Sequence, residues 1–276
     1  MLNIRREGIY IDATVGLGGH AYAILQEIGP RGMLIGIDRD EESLRIARER
    51  LSDPRALLMQ GNFSEMETMI RARGVTAVDG ILLDLGVSSL HLRSRERGFS
   101  FASEALLDMR MDRTQKVSAR DIVNRYPEYE LVRIFREYGE ERRARRIAKA
   151  IAWRREKKPI QTCTELAQIV EKACGVDGRI HPATRIFQAL RIAVNEELSH
   201  LEKGLHAALH LLKKGGRLCV ISYHSLEDRI VKHFMGENAK KGMLNIITKK
   251  PVAPAPEEKR MNPSSRSAKL RVGEMV

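Results

Sequence analysis

Three closely spaced glycines, Gly16, Gly18 and Gly19, follow a short apolar run that begins at Tyr10. Glycine adopts positive φ readily and, because it has no Cβ, lets a ligand approach the main chain. A helix predicted from Gly19 to Ile28 would direct its unpaired N–H groups at that ligand. The spacing favours a cofactor-binding turn, although a tight connection between a strand and a helix has the same pattern.

A carboxylate follows the glycine turn at the sequence distance typical of a ribose-binding acid. Asp38 ends an apolar run that starts at Met33, and it lies 22 positions after Gly16. An acidic residue about 20 residues beyond the glycine turn accepts hydrogen bonds from ribose hydroxyls. We therefore predict that Asp38 binds the ribose of a cofactor.

Two more apolar runs bring further side chains to the same edge of a predicted parallel sheet. Phe63 follows the run at 56–59, and Asp84 ends the run that begins at Val78. Ligands of open α/β sheets bind beyond the carboxyl ends of the strands, where these residues would converge. The Phe63 ring fits either an adenine face or the protein core.

The glycine pattern separates two classes of nucleotide cofactor. A dinucleotide site has the pattern G-x-G-x-x-G, whereas this chain has Gly-x-Gly-Gly-His and carries Ala21 in place of the third glycine. A ribose-binding acid with this shorter glycine turn suits S-adenosylmethionine better than NAD. An NAD-dependent dehydrogenase is the alternative that the position of Asp38 permits.

Charge and composition indicate the kind of partner. The chain has 276 residues, a net charge of +12 and a pI of about 9.8, and its field attracts polyanions such as nucleic acid. A basic enzyme with another substrate would have the same charge. No apolar run approaches the roughly 18 residues of a membrane span, so we expect a cytoplasmic protein without a membrane partner. The three scattered cysteines lack metal-binding spacing, and we expect neither a metal nor a disulfide.

The pattern of elements changes in the middle of the chain. Strands alternate with helices in the first part, helices alone are predicted from about 105, and a strand over 217–222 resumes the alternation. This organisation predicts an α/β fold with a Rossmann-like, doubly wound sheet. The sheet domain is expected at 1–104 and 199–276, and an all-helical insertion, expected to recognise RNA, at 105–198.

The insertion is predicted to contain one long helix over 131–153 and another that starts at His181 and continues to Leu198, followed by a helix over 201–212. Thr162 and Glu165 have the spacing of a capping box that starts a helix, and Gly175 to Gly178 are predicted to close that helix. Few acids offset the cations of the long helix and the residues after it, so we predict a surface that contacts phosphates. These cations are Arg133, Arg136, Arg142, Arg143, Arg145, Arg146, Lys149, Arg154, Arg155, Lys157 and Lys158.

The tail from 249 to 271 is rich in proline, serine and basic residues and has little core-forming content. We expect it to lie over the surface and to touch the substrate.

Taken together, these segments resemble the RsmH (MraW) family of S-adenosylmethionine-dependent methyltransferases, which modify small-subunit ribosomal RNA. The resemblance covers nearly the whole chain. It rests on Asp12-Ala-Thr-Val-Gly-Leu-Gly-Gly-His, Asp84-Leu-Gly-Val-Ser-Ser, Arg97-Gly-Phe-Ser-Phe, Leu107-Asp-Met-Arg-Met-Asp, His181-Pro-Ala-Thr-Arg, Ile221-Ser-Tyr-His-Ser-Leu-Glu-Asp-Arg and Ser265-Arg-Ser-Ala-Lys-Leu-Arg.

The resemblance implies a methyltransferase that modifies the exocyclic amine of a cytidine in the decoding region of 16S rRNA. Its partner would be the small-subunit rRNA or the assembled small ribosomal subunit, and a homodimer is compatible with the family. The residues implied to contact S-adenosylmethionine are Gly18, Gly19, His20, Asp38, Phe63, Asp84 and His91.

Two departures from the family pattern bear on the cofactor. The family usually has Gln at the position of His91, and a histidine there would make cofactor affinity depend on pH. Family members also carry a His-x-Pro-Val type motif upstream of the first strand, which this sequence does not contain. Either the start of the sequence is truncated or that contribution is lost, and in this sequence we expect the cofactor cradle to lack one wall.

The reaction implied is a direct in-line transfer to a weakly nucleophilic nitrogen, whose lone pair is delocalised into the ring. An acceptor must hold an N–H of that amine, and Asp84 is the first candidate. His224 and Asn195 are weaker candidates for contact with the base, and structural roles fit both equally well. The loop after Asp84 has no cysteine, which argues against the covalent route to a ring carbon. A non-catalytic RNA-binding assembly factor is a further alternative.

Overall fold

The computed structural model describes residues 1–88, 90–91, 94, 96–175 and 181–276. The chain forms two compact units, the first of Met1–Ser88 with Leu198–Val276 and the second of Ser89–Glu197. The second unit begins before the predicted start of the insertion at 105, because earlier residues pack on its helices. Phe99 and Phe101 contact its hydrophobic core, and the Cys163 thiol lies 3.3 Å from the Gly98 carbonyl oxygen.

The described part of the first unit contains a seven-stranded sheet. Its strands are β1 (Ile9–Asp12), β2 (Met33–Asp38), β3 (Ala56–Gln60), β4 (Val78–Asp84), β5 (Leu212–Ser222), β6 (Leu244–Ile246) and β7 (Lys269–Met275). Their spatial order is β3-β2-β1-β4-β5-β7-β6. The strands β1 to β5 run parallel, and β7 runs antiparallel to both β5 and β6.

The helices of the described residues are α1 (Gly19–Glu27), α2 (Glu41–Arg50), α3 (Met66–Arg71), α4 (Ala119–Arg125), α5 (Glu128–Glu137), α6 (Ala144–Lys157), α7 (Cys163–Cys174), α8 (Ala183–Asn195), α9 (Glu197–Leu211), α10 (Ser225–Lys240) and α11 (Pro256–Met261). None of them is both long enough and apolar enough to cross a membrane.

Alternate residues of the central strands face two different hydrophobic cores, because successive side chains of a strand point to opposite faces. Tyr10 and Leu34 pack with residues of α1 and α2. Ile11 and Ile35 pack with residues of α3, α9 and α10. The sheet is therefore covered by helices on both faces, as the doubly wound prediction requires.

The direction of winding reverses between β1 and β4. From β1 the chain moves outward through β2 to β3, and it then returns to place β4 on the other side of β1. Asp12, the last residue of β1, is in register with Gly36 on one side and Leu82 on the other. The carboxyl ends of these strands therefore meet at the switch point, where open α/β sheets bind ligands.

The long helix predicted over 131–153 is wrong, because α5 and α6 are separate helices. Gly139 lies between them, where an added Cβ would come within 2.8 Å of the carbonyl oxygens of Phe135 and Arg185. The next residue, Glu140, has a φ of 48°. Two predicted helix signals are present: Thr162 and Glu165 form a capping box at the start of α7, and Gly175 ends that helix with a φ of 75°.

The helix predicted from His181 to Leu198 also ends earlier. Glu196 has a φ of 48°, and it separates α8 from α9, which starts at Glu197 rather than at 201. Positive φ is uncommon for residues other than glycine, so Glu196 carries no recognisable sequence signal. Gly139, directly before Glu140, is a helix-breaking signal that the prediction of one continuous helix over 131–153 did not use.

The end of the basic tail was expected on the surface, and it instead forms strand β7. Val272 is fully buried there, and the Arg271 guanidinium donates to both carboxylate oxygens of Asp228, at 2.6 and 3.2 Å. Alternation of apolar and basic residues, typical of a strand with one buried face, explains this result.

Candidate active site

The glycine turn after β1 has the backbone geometry of a ligand cradle. Gly16 and Gly18 have φ angles of 50° and 78°, which residues with a Cβ rarely adopt. Helix α1 starts at Gly19 and has no side-chain cap. A Cβ added at Gly19 would meet no atom within 4 Å. The first turn of α1 therefore faces open space, and its N–H groups favour electron-rich groups there.

Asp38 closes this turn from the neighbouring strand. Its Oδ2 accepts a hydrogen bond from the Gly16 N–H at 2.8 Å, and its Oδ1 accepts one from the Asp40 N–H at 2.9 Å. The predicted spacing between Asp38 and the glycines thus corresponds to a direct contact, and the carboxylate fixes the turn. A carboxylate can accept about four hydrogen bonds, and ribose binding by Asp38 stays a prediction.

Phe63 lies beyond the end of β3, where it begins a short 3-10 helix over Phe63–Glu65. Its ring packs against α9 at Gly204, where an added Cβ would lie 2.4 Å from the ring atom Cδ2. The end of β3 is tied to Asp38, because the Gly61 N–H donates to the Asp38 carbonyl oxygen at 2.9 Å. Phe63 therefore has a packing role next to the predicted ribose site, and contact with adenine stays a prediction.

Asp84 is the centre of a polar cluster at the carboxyl end of β4. The Tyr223 hydroxyl donates to Asp84 Oδ1 at 2.9 Å, and His20 Nε2 lies 3.4 Å from Asp84 Oδ2. The Asp84 N–H donates to Thr14 Oγ1 at 2.7 Å. The side chain of Asp84 is 25% exposed. Contacts to both oxygens therefore fix the orientation of the carboxylate, and solvent still reaches it.

The partners of Asp84 have pKa values shifted by this arrangement. The hydrogen bond to Asp84 is the largest cause that raises the pKa of His20 above its ordinary value. Burial raises the pKa of the Tyr223 phenol, and the nearby Asp84 charge raises it further. Tyr223 therefore stays protonated at neutral pH and serves as a hydrogen-bond donor to Asp84.

Asp12 is a second carboxyl group at this edge, and it was not predicted as a site residue. It is 1% exposed, and burial raises its pKa from 3.8 to about 7, while the charge of His20 acts in the opposite direction. Its Oδ1 accepts from the Thr14 N–H at 3.3 Å, whereas its Oδ2 is buried without a hydrogen-bond partner. Asp12 ends β1 and Tyr223 directly follows β5. Both stand in segments that carry the family resemblance, and the sequence analysis assigned neither of them a role.

His224 is the N-cap residue of α10, directly before Ser225. Its ring accepts a hydrogen bond from the Glu227 N–H at 3.4 Å, and the His224 backbone N–H donates to Glu227 Oε2 at 3.3 Å. The His224 side chain is 9% exposed. These contacts make His224 a helix cap, and the predicted contact with the target base stays a prediction.

His91 and Asn195 belong to the second unit. The His91 ring is buried and lies 4.8 Å from the Phe99 ring, centroid to centroid. The Asn195 side chain accepts from the Met111 N–H at 2.9 Å and donates to the carbonyl oxygens of Met109 and Arg191 at 2.8 and 2.9 Å. Asn195 is fully buried and stabilises a loop, so its predicted catalytic role has no support from these contacts.

The sequence profile of the MraW methylase family matches residues 1–276 of the chain. The ribosomal RNA small subunit methyltransferase H of Persephonella marina is 51% identical over 276 residues, which cover 98% of this chain and 94% of that protein. The protein of the same name from Caldicellulosiruptor bescii is 49% identical over 288 residues, with the same two coverages of 98% and 94%.

A solved structure of an rRNA-methylase from Clostridium thermocellum has a similar fold. The TM-score is 0.50 at 12% identity, over 99% of this chain and 91% of that chain. This likeness confirms the predicted Rossmann-like α/β fold.

Proposed function

This chain belongs to the MraW methylase family, and we propose that it methylates the exocyclic amine of a cytidine in the decoding region of 16S rRNA. S-adenosylmethionine is the methyl donor of this class of methylase. The observation that carries the proposal is the oriented Asp84 carboxylate beside the glycine cradle, at the switch point of the sheet. The names of the relatives, ribosomal RNA small subunit methyltransferase H, support a substrate in small-subunit rRNA.

The residues of the cradle fit S-adenosylmethionine. The open space beside Gly19 admits a ligand close to the main chain, and Asp12 Oδ2 is a buried acceptor without a protein donor. The cofactor carries an ammonium group and a sulfonium centre, so a buried carboxylate complements its charge. The residues proposed to hold it are Gly18, Gly19, His20, Asp38, Phe63, Asp84 and His91, and Asp12 joins them as the buried acceptor.

Asp84 is proposed to receive the proton that the amine loses. When bound, S-adenosylmethionine supplies a methyl group on a positively charged sulfur, which leaves as a neutral thioether. The exocyclic nitrogen must share its lone pair as the new bond to carbon forms, and its N–H then becomes acidic. Tyr223 and His20 hold the two oxygens of Asp84, so the carboxylate is oriented before the substrate arrives.

The substrate side of the proposal rests on charge. A net charge of +12 favours association with RNA, whose phosphates dominate affinity. The target base must leave any stack so that its amine can reach the methyl group. The helical unit and the basic tail are the proposed RNA contacts. The proposed partner is free small-subunit rRNA or the assembled small subunit, and the proposed oligomer is a homodimer.

The test has two parts. Calorimetry with S-adenosylmethionine, its demethylated product and NAD should detect binding of the first two only, whereas NAD binding would favour a dehydrogenase. Incubation with labelled S-adenosylmethionine and undermethylated small ribosomal subunits should then yield N4-methylcytidine by mass spectrometry of the nucleosides. Cofactor binding without any labelled nucleoside would favour a non-catalytic assembly factor.

A further inference from the structure

The second unit has an open cleft between α5 and α6, with a volume of about 730 Å³. Four cations line it: Arg136 from α5, and Arg145, Arg146 and Lys149 from α6. All four residues are exposed to solvent. The cleft therefore concentrates positive charge in a concave surface rather than along a single helix face.

The packing of the two helices explains why these cations face the cleft. Leu131, Ile134 and Phe135 of α5 are buried in the core of the unit, as are Ile147 and Ala148 of α6. Residues 129, 132 and 136 follow helical spacing on another face of α5, and residues 145 and 149 do the same on α6. The core positions thus leave these faces to line the cleft.

The cleft cations differ from their neighbours in how they are neutralised. Arg133 lies on the same helix as Arg136, and it donates to Glu130 and Glu137 at 2.9 Å each. Within the described residues, no ion pair to a carboxylate involves any of the four cleft cations. Their charge is therefore available to an external anion, whereas that of Arg133 is compensated.

The cleft also offers an apolar surface. Tyr129 lines it with 71% of its area exposed, and Val132 lies beside it, partly buried against the core. Every nucleobase has a π-face that can stack on an aromatic ring. Glu128, also in the lining, is an acceptor that a ribose 2′-hydroxyl can satisfy.

We propose that this cleft binds a single-stranded segment of the RNA substrate, with its cations on backbone phosphates and Tyr129 stacked on a base. Pockets of about 300–1,000 Å³ suit small ligands, so a cleft of this size fits a few nucleotides and not a duplex. The inference rests on the proposed function, because it takes RNA as the substrate.

The test measures the salt dependence of RNA binding by the full chain. A fluorescein-labelled single-stranded oligoribonucleotide is titrated with the protein at several salt concentrations, and anisotropy is recorded. Each phosphate contact on a single strand contributes about 0.7 to the slope of log K against log salt. Replacing Arg136, Arg145 and Arg146 together by Gln should therefore reduce the slope by about 2.

Two further variants separate the proposed stacking contact from the phosphate contacts, and the phosphate contacts from the general positive charge of the surface. Tyr129→Ala should weaken binding by about tenfold with little change in slope, because stacking does not depend on counterion release. Arg133→Gln is the matched control. The sequence placed Arg133 among the phosphate-contacting cations, but Glu130 and Glu137 neutralise it, so this variant should leave the slope unchanged. An unchanged slope in the triple variant, an equal loss in Arg133→Gln, or stronger binding of a poly-glutamate probe would overturn the inference.

Methyl transfer is assayed separately with the wild-type protein. If RNA is methylated but the triple variant keeps the wild-type slope, the cleft inference alone fails. If no RNA is methylated but the slope falls as expected, the cleft still binds RNA and the proposed function fails.

Discussion

Asp12→Asn should stabilise the protein at neutral and alkaline pH. Asp12 is 1% exposed, its Oδ2 has no hydrogen-bond partner, and its pKa is raised from 3.8 to about 7. Ionised Asp12 is therefore less stable in the folded protein than in the unfolded chain. The asparagine side chain has nearly the same shape and carries no charge to bury.

The sign and size of the effect follow from the two pKa values. Below about pH 4 both states are protonated, and Asp12 contributes no pH-dependent stability. Between the two pKa values the unfolded chain releases the proton and the folded protein keeps it, so stability falls as pH rises. The free energy of unfolding falls by about 1.4 kcal/mol for each pH unit between 3.8 and about 7. Above pH 7 the total loss levels off at about 4 kcal/mol.

Urea unfolding across this pH range measures the effect. The advantage of Asp12→Asn over wild type should grow from near zero in acid to a few kcal/mol above neutrality. Asp53→Asn is a control of opposite sign, because hydrogen bonds from Arg55 lower the pKa of Asp53 to about 2. That variant should be less stable than wild type near neutrality. The difference should disappear in acid, because wild type loses the stabilisation when Asp53 is protonated. A pH-independent difference for Asp12→Asn would refute the reasoning.

Three other outcomes are expected. Tyr223→Phe removes the hydrogen bond to Asp84 and should lower the rate of methyl transfer by about tenfold or more without weakening RNA binding, as single-turnover kinetics would show. An NMR titration of the His20 ring should give a pKa above the ordinary value for histidine. The ion pair of His20 with Asp84 should be lost as pH rises through that pKa. Asp84→Asn should lower the pKa of His20, because it removes the charged hydrogen-bond partner that raises it. Gly204→Ala should cost about 1–3 kcal/mol in thermal or urea unfolding, because its Cβ overlaps an aromatic ring at 2.4 Å, whereas Gly236→Ala has open space and should stabilise slightly.

The parts of the site that lie on neighbouring strands could be predicted because spacing determines them. The offset between Gly16 and Asp38 follows from one strand-helix-strand unit, and the structure joins them by a hydrogen bond. The contact between Asp84 and Tyr223 could not be predicted in this way. It joins residues 139 positions apart, and it depends on the parallel pairing of β4 with β5, which the whole second unit separates in the sequence.

The errors in the helical unit and the tail have local physical causes. Glu140 and Glu196 interrupt predicted helices in a left-handed conformation that glutamate seldom adopts. The strand β7 was missed because its basic residues resemble a solvated tail. Antiparallel backbone pairing with β5 and β6 makes that segment part of the sheet, and the ion pair of Arg271 with Asp228 and the burial of Val272 fix its side chains.

The most direct test of the account is the activity of Asp84→Asn on undermethylated small ribosomal subunits, with N4-methylcytidine measured by mass spectrometry and cofactor affinity measured in parallel. Asparagine keeps the shape of the carboxylate but cannot accept the proton of the amine. General-base catalysis contributes about 10²–10⁴-fold, so the rate should fall by at least about 100-fold while S-adenosylmethionine still binds. Near-normal formation of N4-methylcytidine by this variant, with normal cofactor binding, would contradict the role given to Asp84.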